Sequence, residues 1–126
     1  MSTKAQETRD RWRYINRHRE WARLTIASHT RKGCIIHFTR EWLEELAKKT
    51  THCYLCGAEL NFEKKKTRCP ESNSPSLDRM KRALDMTQDN VVIMCYACNT
   101  GKGIGTLEEY IARCKRIAKK YELEMI

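Results

Sequence analysis

Cys53-x-x-Cys56 and Cys95-x-x-Cys98 place four soft sulfur donors in two tight turns, a donor set that suits tetrahedral zinc. Four thiolates would fill the coordination shell, so a zinc held this way is structural. The competing readings are a redox Cys-x-x-Cys or a pair of buried cysteine knuckles, and two such pairs in one short chain favour metal over either. An odd total of seven cysteines argues against a disulfide framework. Cys114 falls on an apolar helical stripe and reads as core. Cys34 and Cys69 have no assignment.

The interval between the pairs is about twice the ~15 to 20 residues of an ordinary two-knuckle zinc site, so something is mounted inside it. It contains the strand-like runs "SPSLDRM" and "NVVIMC", residues 74–80 and 90–95, joined by the polar "DMTQD" region. Asp78 stands near the end of the first strand, Asn90 opens the second and Asn99 follows the last cysteine. A metal staple would draw these elements together. Asp78 and Asn99 could then converge and offer hard oxygen ligands to Mg²⁺ or a similar ion.

Cys-x-x-Cys, Asp78-Arg79, Asn90-Val-Val and Cys95-x-x-Cys98-Asn99, with Lys102 three residues on, together resemble the HNH or ββα-metal nucleases. The pattern is most similar to their four-cysteine branch, which includes phage recombination endonucleases and some restriction-type enzymes. It spans residues 53 to about 103, less than half the chain. The resemblance implies that Asp78 and Asn99 bind the catalytic divalent ion, Mg²⁺ or Mn²⁺, and that Asn90 braces the hairpin. The position of Arg79 is usually a histidine that serves as general base.

A guanidinium stays protonated at any working pH, so Arg79 cannot take a proton from water. Three accounts remain open. Arg79 could clamp the scissile phosphate while His52, beside the first knuckle, or His37, upstream of it, activates water. Alternatively the metal does most of the work, or the scaffold binds DNA without cutting it. Arg79 could also be a surface arginine paired with Asp78. His52 could instead support the zinc site, and His37, within the apolar "CIIHF", reads first as a core histidine. Some restriction-type relatives also lack the usual histidine.

These groups must be positioned by a chain of 126 residues, enough for one domain with a modest core. Charged residues make up 33% and apolar ones 40%, with a mean hydropathy of −0.74, which describes a foldable, soluble chain. Of the net charge of +9, residues 1–40 supply +7, from ten Lys or Arg against three Asp or Glu. That excess favours a polyanionic partner, because each cation that neutralises a phosphate releases a counterion.

Residues 7–29 read as a basic helix with Trp12, Ile15, Ala22 and Ile26 on one narrow face, stopped by Gly33. Arg11, Arg13, Arg17, Arg19 and Arg23 would grip a nucleic-acid backbone, interleaved with Trp12, Tyr14 and Trp21. His18 and His29 would lie on its solvated face. Lys81, Arg82 and Lys102 would add phosphate contacts nearer the hairpin.

"CIIHF", residues 34–38, could be a short buried strand or an apolar turn. Thr39 offers an N-cap to a second helix whose apolar face is Trp42, Leu43, Leu46 and Ala47. "AELNF", residues 58–62, alternates like a strand, and residues 64–75 read as a loop. "NTGKGIG", residues 99–105, lacks the phosphate-loop spacing and reads as a loosened helix start. Thr106 and Glu109 form a capping box for a last helix with Leu107, Tyr110, Ile111, Cys114, Ile117, Ala118 and Tyr121 in its stripe.

The expected architecture is α+β: a basic helical extension over residues 1–50, a zinc-stapled ββα-metal core over 51–105, and a terminal helix over 106–126 packed on that core. The resemblance implies a metal-dependent DNA endonuclease that hydrolyses phosphodiester bonds and leaves a 3′ hydroxyl. The rival is a noncatalytic zinc-stabilised DNA-binding module or a nuclease partner subunit. Cutting both strands would need a homodimer or two visits. No apolar run is long enough to span a bilayer, and a cytoplasmic location without membrane attachment is expected.

Overall fold

The computed structural model describes residues 3–63 and 69–121. The basic run at 64–66 lies outside them. Among the described residues, five helices and one two-stranded antiparallel sheet make a mixed α+β structure.

The basic amino-terminal segment is two helices rather than one, α1 (Lys4–Ile15) and α2 (Arg17–Arg31). They meet at Asn16, whose backbone sits at φ −102° and ψ 24°. Its amide side chain donates to the Trp12 carbonyl at 2.9 Å, beside its own backbone N–H at the same distance. Helix α1 buries no residue, and Trp12 and Ile15 are exposed. The expected apolar face therefore exists only on α2, where Ala22 is buried and Ile26 packs against the core.

Helix α3 (Arg40–Lys49) starts where Thr39 Oγ1 accepts from the Trp42 amide at 3.1 Å. It packs on α2 and buries Leu43 and Ala47. Between these helices the apolar pentapeptide is neither a buried strand nor a free turn. Ile36 forms a single parallel bridge with Met86, closed by Met86 N to the Ile35 carbonyl at 3.0 Å and His37 N to the Met86 carbonyl at 2.9 Å.

Strands β1 (Pro75–Arg79) and β2 (Val91–Cys95) fall within a residue of their sequence-predicted limits. Pro75 takes the first position, where its missing N–H is tolerated. In the register Leu77 faces Ile93 and Asp78 faces Val92. Side chains alternate across a strand, so Leu77, Val91, Ile93 and Cys95 share one face while Ser76, Asp78, Val92 and Met94 share the other. Leu77, Ile93, Met94 and Met86 join Ala22, Leu43 and Ala47 in one buried cluster.

Helix α4 (Tyr96–Lys102) leaves β2 directly, so "NTGKGIG" spans a helix end rather than a start. Gly103, at φ 59°, makes the left-handed exit. Helix α5 (Leu107–Lys120) is capped by Thr106 Oγ1, which accepts from Glu109 N at 3.1 Å. It packs on α4, and a Cβ on Gly101 would lie 2.7 Å from Tyr110 Oη, so a larger residue there would push the Tyr110 ring aside. Leu107 reaches the core, but Ile111, Ile117 and Tyr121 stay exposed. Among the described residues no helix is long and apolar enough to cross a membrane.

Candidate metal centre

The first cysteine pair is built by a reversal, not by the expected strand at 58–62. Cys53 N donates to the Ala58 carbonyl at 2.8 Å and Leu60 N to the Thr51 carbonyl at 2.9 Å, which leaves one isolated bridge between His52 and Glu59. The chain turns at Gly57, whose φ of 78° is the left-handed conformation that favours glycine. Cys53 Sγ accepts amide hydrogen bonds from Leu55 and Cys56 at 3.4 and 3.5 Å. The second pair spans the β2–α4 junction, where Cys95 Sγ caps the helix by accepting from Cys98 N at 3.4 Å. Tyr54 N donates to the Ile93 carbonyl at 3.1 Å and joins the first turn to the outer edge of β2.

The four Sγ atoms lie within 4.8 Å of one another, and Cys56 Sγ is 3.7 Å from Cys95 Sγ. Zinc–sulfur bonds of about 2.3 Å in a tetrahedron separate sulfurs by roughly 3.8 Å, so the cluster has the size to hold a metal such as zinc. Cys53, Cys95 and Cys98 are buried and Cys56 is exposed. None of these cysteines forms a disulfide among the described residues.

Their ionisation is uneven. Burial opposes charge on Cys53, but the backbone amides of Cys56, Cys95 and Leu55 outweigh it and bring the thiol down to about 6. Burial pushes Cys95 up. Cys98 is also pushed up, by burial first and then by the neighbouring sulfurs. A divalent ion would relieve that crowding of negative charge.

Asp78 and Asn99 share the α4 side of the hairpin. Asn99 Nδ2 donates to Ser76 Oγ at 2.7 Å, and Lys102 Nζ stands 2.9 Å from Asp78 Oδ2. Two rungs thus join β1 to α4, Ser76 to Asn99 and Asp78 to Lys102. Ser76 belongs to no motif, and the only signal for it is its i−2 spacing from Asp78, which puts it on the same strand face. Asp78 Oδ2 is enclosed, and among the described residues its close partner is the Lys102 ammonium, which pairs with it by charge without a well-formed hydrogen bond. An enclosed carboxylate oxygen on the strand face to which Asn99 of α4 is bonded through Ser76 would suit a hard cation in place of the lysine ammonium, with water or phosphate oxygens as further ligands.

Asn90 is 6% exposed and knits the turn between the strands. Its Oδ1 accepts from Lys81 N at 2.8 Å, while its Nδ2 donates to the carbonyls of Lys81 and Asp85 at 3.0 and 2.9 Å. Arg79 leans over the same turn, with Nη1 3.4 Å from the Leu84 carbonyl. It is not the partner of Asp78, which faces Lys102 instead.

His37 is exposed rather than a core residue. Its Nε2 meets Asp85 Oδ2 at 2.9 Å, a partner 48 positions away for which the sequence carries no signal. His52 is also exposed and bonds Thr51 Oγ1 through Nδ1 at 2.8 Å. It lines an open groove with Leu46, Tyr54, Val91 and Ile93 on the outer edge of β2.

The expected phosphate contacts divide. Arg11 and Arg19 are exposed, as are Lys81 and Arg82 on the hairpin turn. Arg13 lies 3.9 Å from Asp10, Arg23 holds both Glu20 oxygens, and Arg17 stacks over Tyr14 at 4.7 Å. The Lys102 side chain is only 6% exposed, turned inward rather than outward. Trp21 also turns inward, with Nε1 donating to the Pro75 carbonyl at 3.1 Å and its ring edge against Phe62. His18 stacks on Phe62 at 4.7 Å instead of facing solvent, and His29 bonds the Thr25 carbonyl.

Fold and site together define a mixed α+β protein with a four-cysteine cluster able to hold a metal ion. No family model matches the sequence, and neither a curated protein nor a solved structure matches it significantly.

Proposed function

We propose that the chain is a zinc-stapled DNA endonuclease of the ββα-metal type, hydrolysing phosphodiester bonds with Mg²⁺ or Mn²⁺ and leaving a 3′ hydroxyl. The observation that carries this reading is Asp78 Oδ2, an enclosed carboxylate oxygen that makes no well-formed hydrogen bond among the described residues, on the hairpin face to which Asn99 of α4 is bonded through Ser76. Asp78 and Asn99 would hold the divalent ion, which supplies Lewis-acid stabilisation of charge developing on the leaving oxygen.

The remaining roles fall to residues around the hairpin turn. Asn90 fixes the turn, and Arg79, always cationic, clamps the scissile phosphate. His37 is the better candidate base: its bond to Asp85 orients the ring and leaves Nδ1 to accept a proton from water. His37 and Arg79 both bond the 84–85 segment, whereas His52 stands at the outer edge of β2. Arg11 and Arg19, with Lys81 and Arg82, would bind the DNA backbone without reading sequence.

A second reading, a noncatalytic DNA-binding module or nuclease partner subunit, draws support from the same pair that fills the site. A lysine already neutralises Asp78, and an arginine stands where a base is usual. The test is cleavage of supercoiled plasmid with Mg²⁺ or Mn²⁺, beside EDTA and Asp78→Ala. Metal-dependent nicking that disappears in the variant is expected. Plasmid bound and shifted but uncut with either metal would leave the binding module as the correct reading.

A further inference from the structure

The Lys102–Asp78 pair has an unusual form. Both side chains are largely enclosed, at 6% and 17% exposure, and the ammonium stands 2.9 Å from an oxygen with which it makes no well-formed hydrogen bond. The contact is thus a point charge on a carboxylate, which is what a bound cation would provide. We propose that Lys102 is a tethered counter-cation that must leave Asp78 before a hard divalent ion can bind, and that an arriving DNA phosphate draws it away. This inference rests on the reading of Asp78 and Asn99 as divalent-ion ligands.

Two features of the chain suit such an exchange. Lys102 is the last residue of α4 and is followed by Gly103 at φ 59° and by the exposed Ile104, so its stem can swing outward without unwinding the helix. A phosphate held by the exposed Lys81 and Arg82 on the hairpin turn would offer the released ammonium a new anion. An ammonium and a divalent ion cannot share one oxygen at close range without strong repulsion. Divalent-ion binding and phosphate binding are therefore coupled, and the coupling acts equally in both directions. Free protein would stay largely unloaded, which limits cleavage to bound DNA.

The experiment is a Mn²⁺ titration of the zinc-loaded full chain, followed by the electron paramagnetic resonance of free Mn²⁺. It compares wild type, Lys102→Met, Asp78→Asn and the double variant, with zinc content and circular dichroism confirming the fold of each. Lys102→Met, which keeps most of the stem, should bind Mn²⁺ about tenfold or more tightly than wild type, and Asp78→Asn should remove the site from either background. A short duplex should tighten Mn²⁺ binding in wild type and much less in Lys102→Met, with Asp78→Asn correcting for Mn²⁺ on the duplex itself. Equal affinities in wild type and Lys102→Met, with Asp78→Asn still abolishing the site, would overturn the exchange and leave the metal reading intact. Identical curves for all four proteins would overturn both. A duplex effect of the same size in wild type and Lys102→Met would refute the role of the phosphate.

Discussion

Cys56 Sγ lies 3.7 Å from Cys95 Sγ, joining a turn near the middle of the chain to the start of α4 across 39 positions. A tie of that span holds the hairpin between them, so we expect one zinc per chain and a fold that depends on it. Cys95→Ser should lose the metal and most of the cooperative thermal transition, while Cys114→Ser keeps both. Zinc counting by absorbance of a chromogenic chelator and calorimetry would check this. Because burial resists ionisation of Cys95 and Cys98, zinc displaces protons on binding, and its affinity should fall as pH is lowered.

Asn90 saturates the turn between β1 and β2 from a buried position, where an unsatisfied backbone group costs about 1–3 kcal/mol. Asn90→Ala strands the Lys81 amide and the Lys81 and Asp85 carbonyls together. Chemical denaturation should show a loss of about 2–4 kcal/mol, the partial sum of those penalties after water enters the turn. A loss below about 0.5 kcal/mol would mean that the turn is set by its backbone alone.

His18 gives a stability effect with a definite sign. Burial against Phe62, then repulsion from Arg17 and Lys48, lowers its pKa from the ordinary 6.5. The folded state therefore binds its proton less readily than the unfolded state. Stability is complete above 6.5 and is lost as pH falls from there towards the lower folded value. His18→Gln should flatten the pH dependence of the melting temperature in that window and leave the slope above it unchanged.

What can be read from the sequence is whatever local rules determine. The cysteine pairs carry their own geometry, Thr39 and Thr106 announce helix starts, and strand periodicity puts Asp78 one residue from the end of β1. Asn99 follows the last cysteine on α4, so its convergence with β1 follows once the cysteines cluster. Long-range choices stay hidden. Nothing local distinguishes a lysine that reaches for phosphate from one folded onto Asp78, or links His37 to Asp85. Trp12 and Trp21 sit in similar basic surroundings, yet only Trp21 finds a strand carbonyl and Phe62. The break at Asn16 is hidden too, because a helical apolar period continues through it.

Helix α1 buries nothing, so its arginines can be removed without loss of core. Arg11→Ala combined with Arg13→Ala should leave the melting temperature almost unchanged. In a salt titration of duplex binding, the slope of log affinity against log salt should fall by about 0.9 for each phosphate that the variant no longer neutralises. An unchanged slope would remove Arg11 and Arg13 from the DNA interface.

The two exposed histidines divide the catalytic reading by position. His37 is oriented by Asp85 on the turn that also receives Arg79, whereas His52 is bonded only to its neighbour Thr51 among the described residues. If His37 is the base, His37→Ala should slow single-turnover cleavage by about 10²-fold or more, the usual scale of general base catalysis. Asp85→Asn should slow it less, because the imidazole survives but loses its orienting carboxylate. Both variants should bind duplex as wild type does, which separates a lost proton acceptor from a lost grip on DNA. His52→Ala should stay within about threefold of wild type, far short of a base deletion. The reverse pattern would put the base on the outer edge of β2, leaving the His37–Asp85 pair to pin the 34–38 segment to the hairpin.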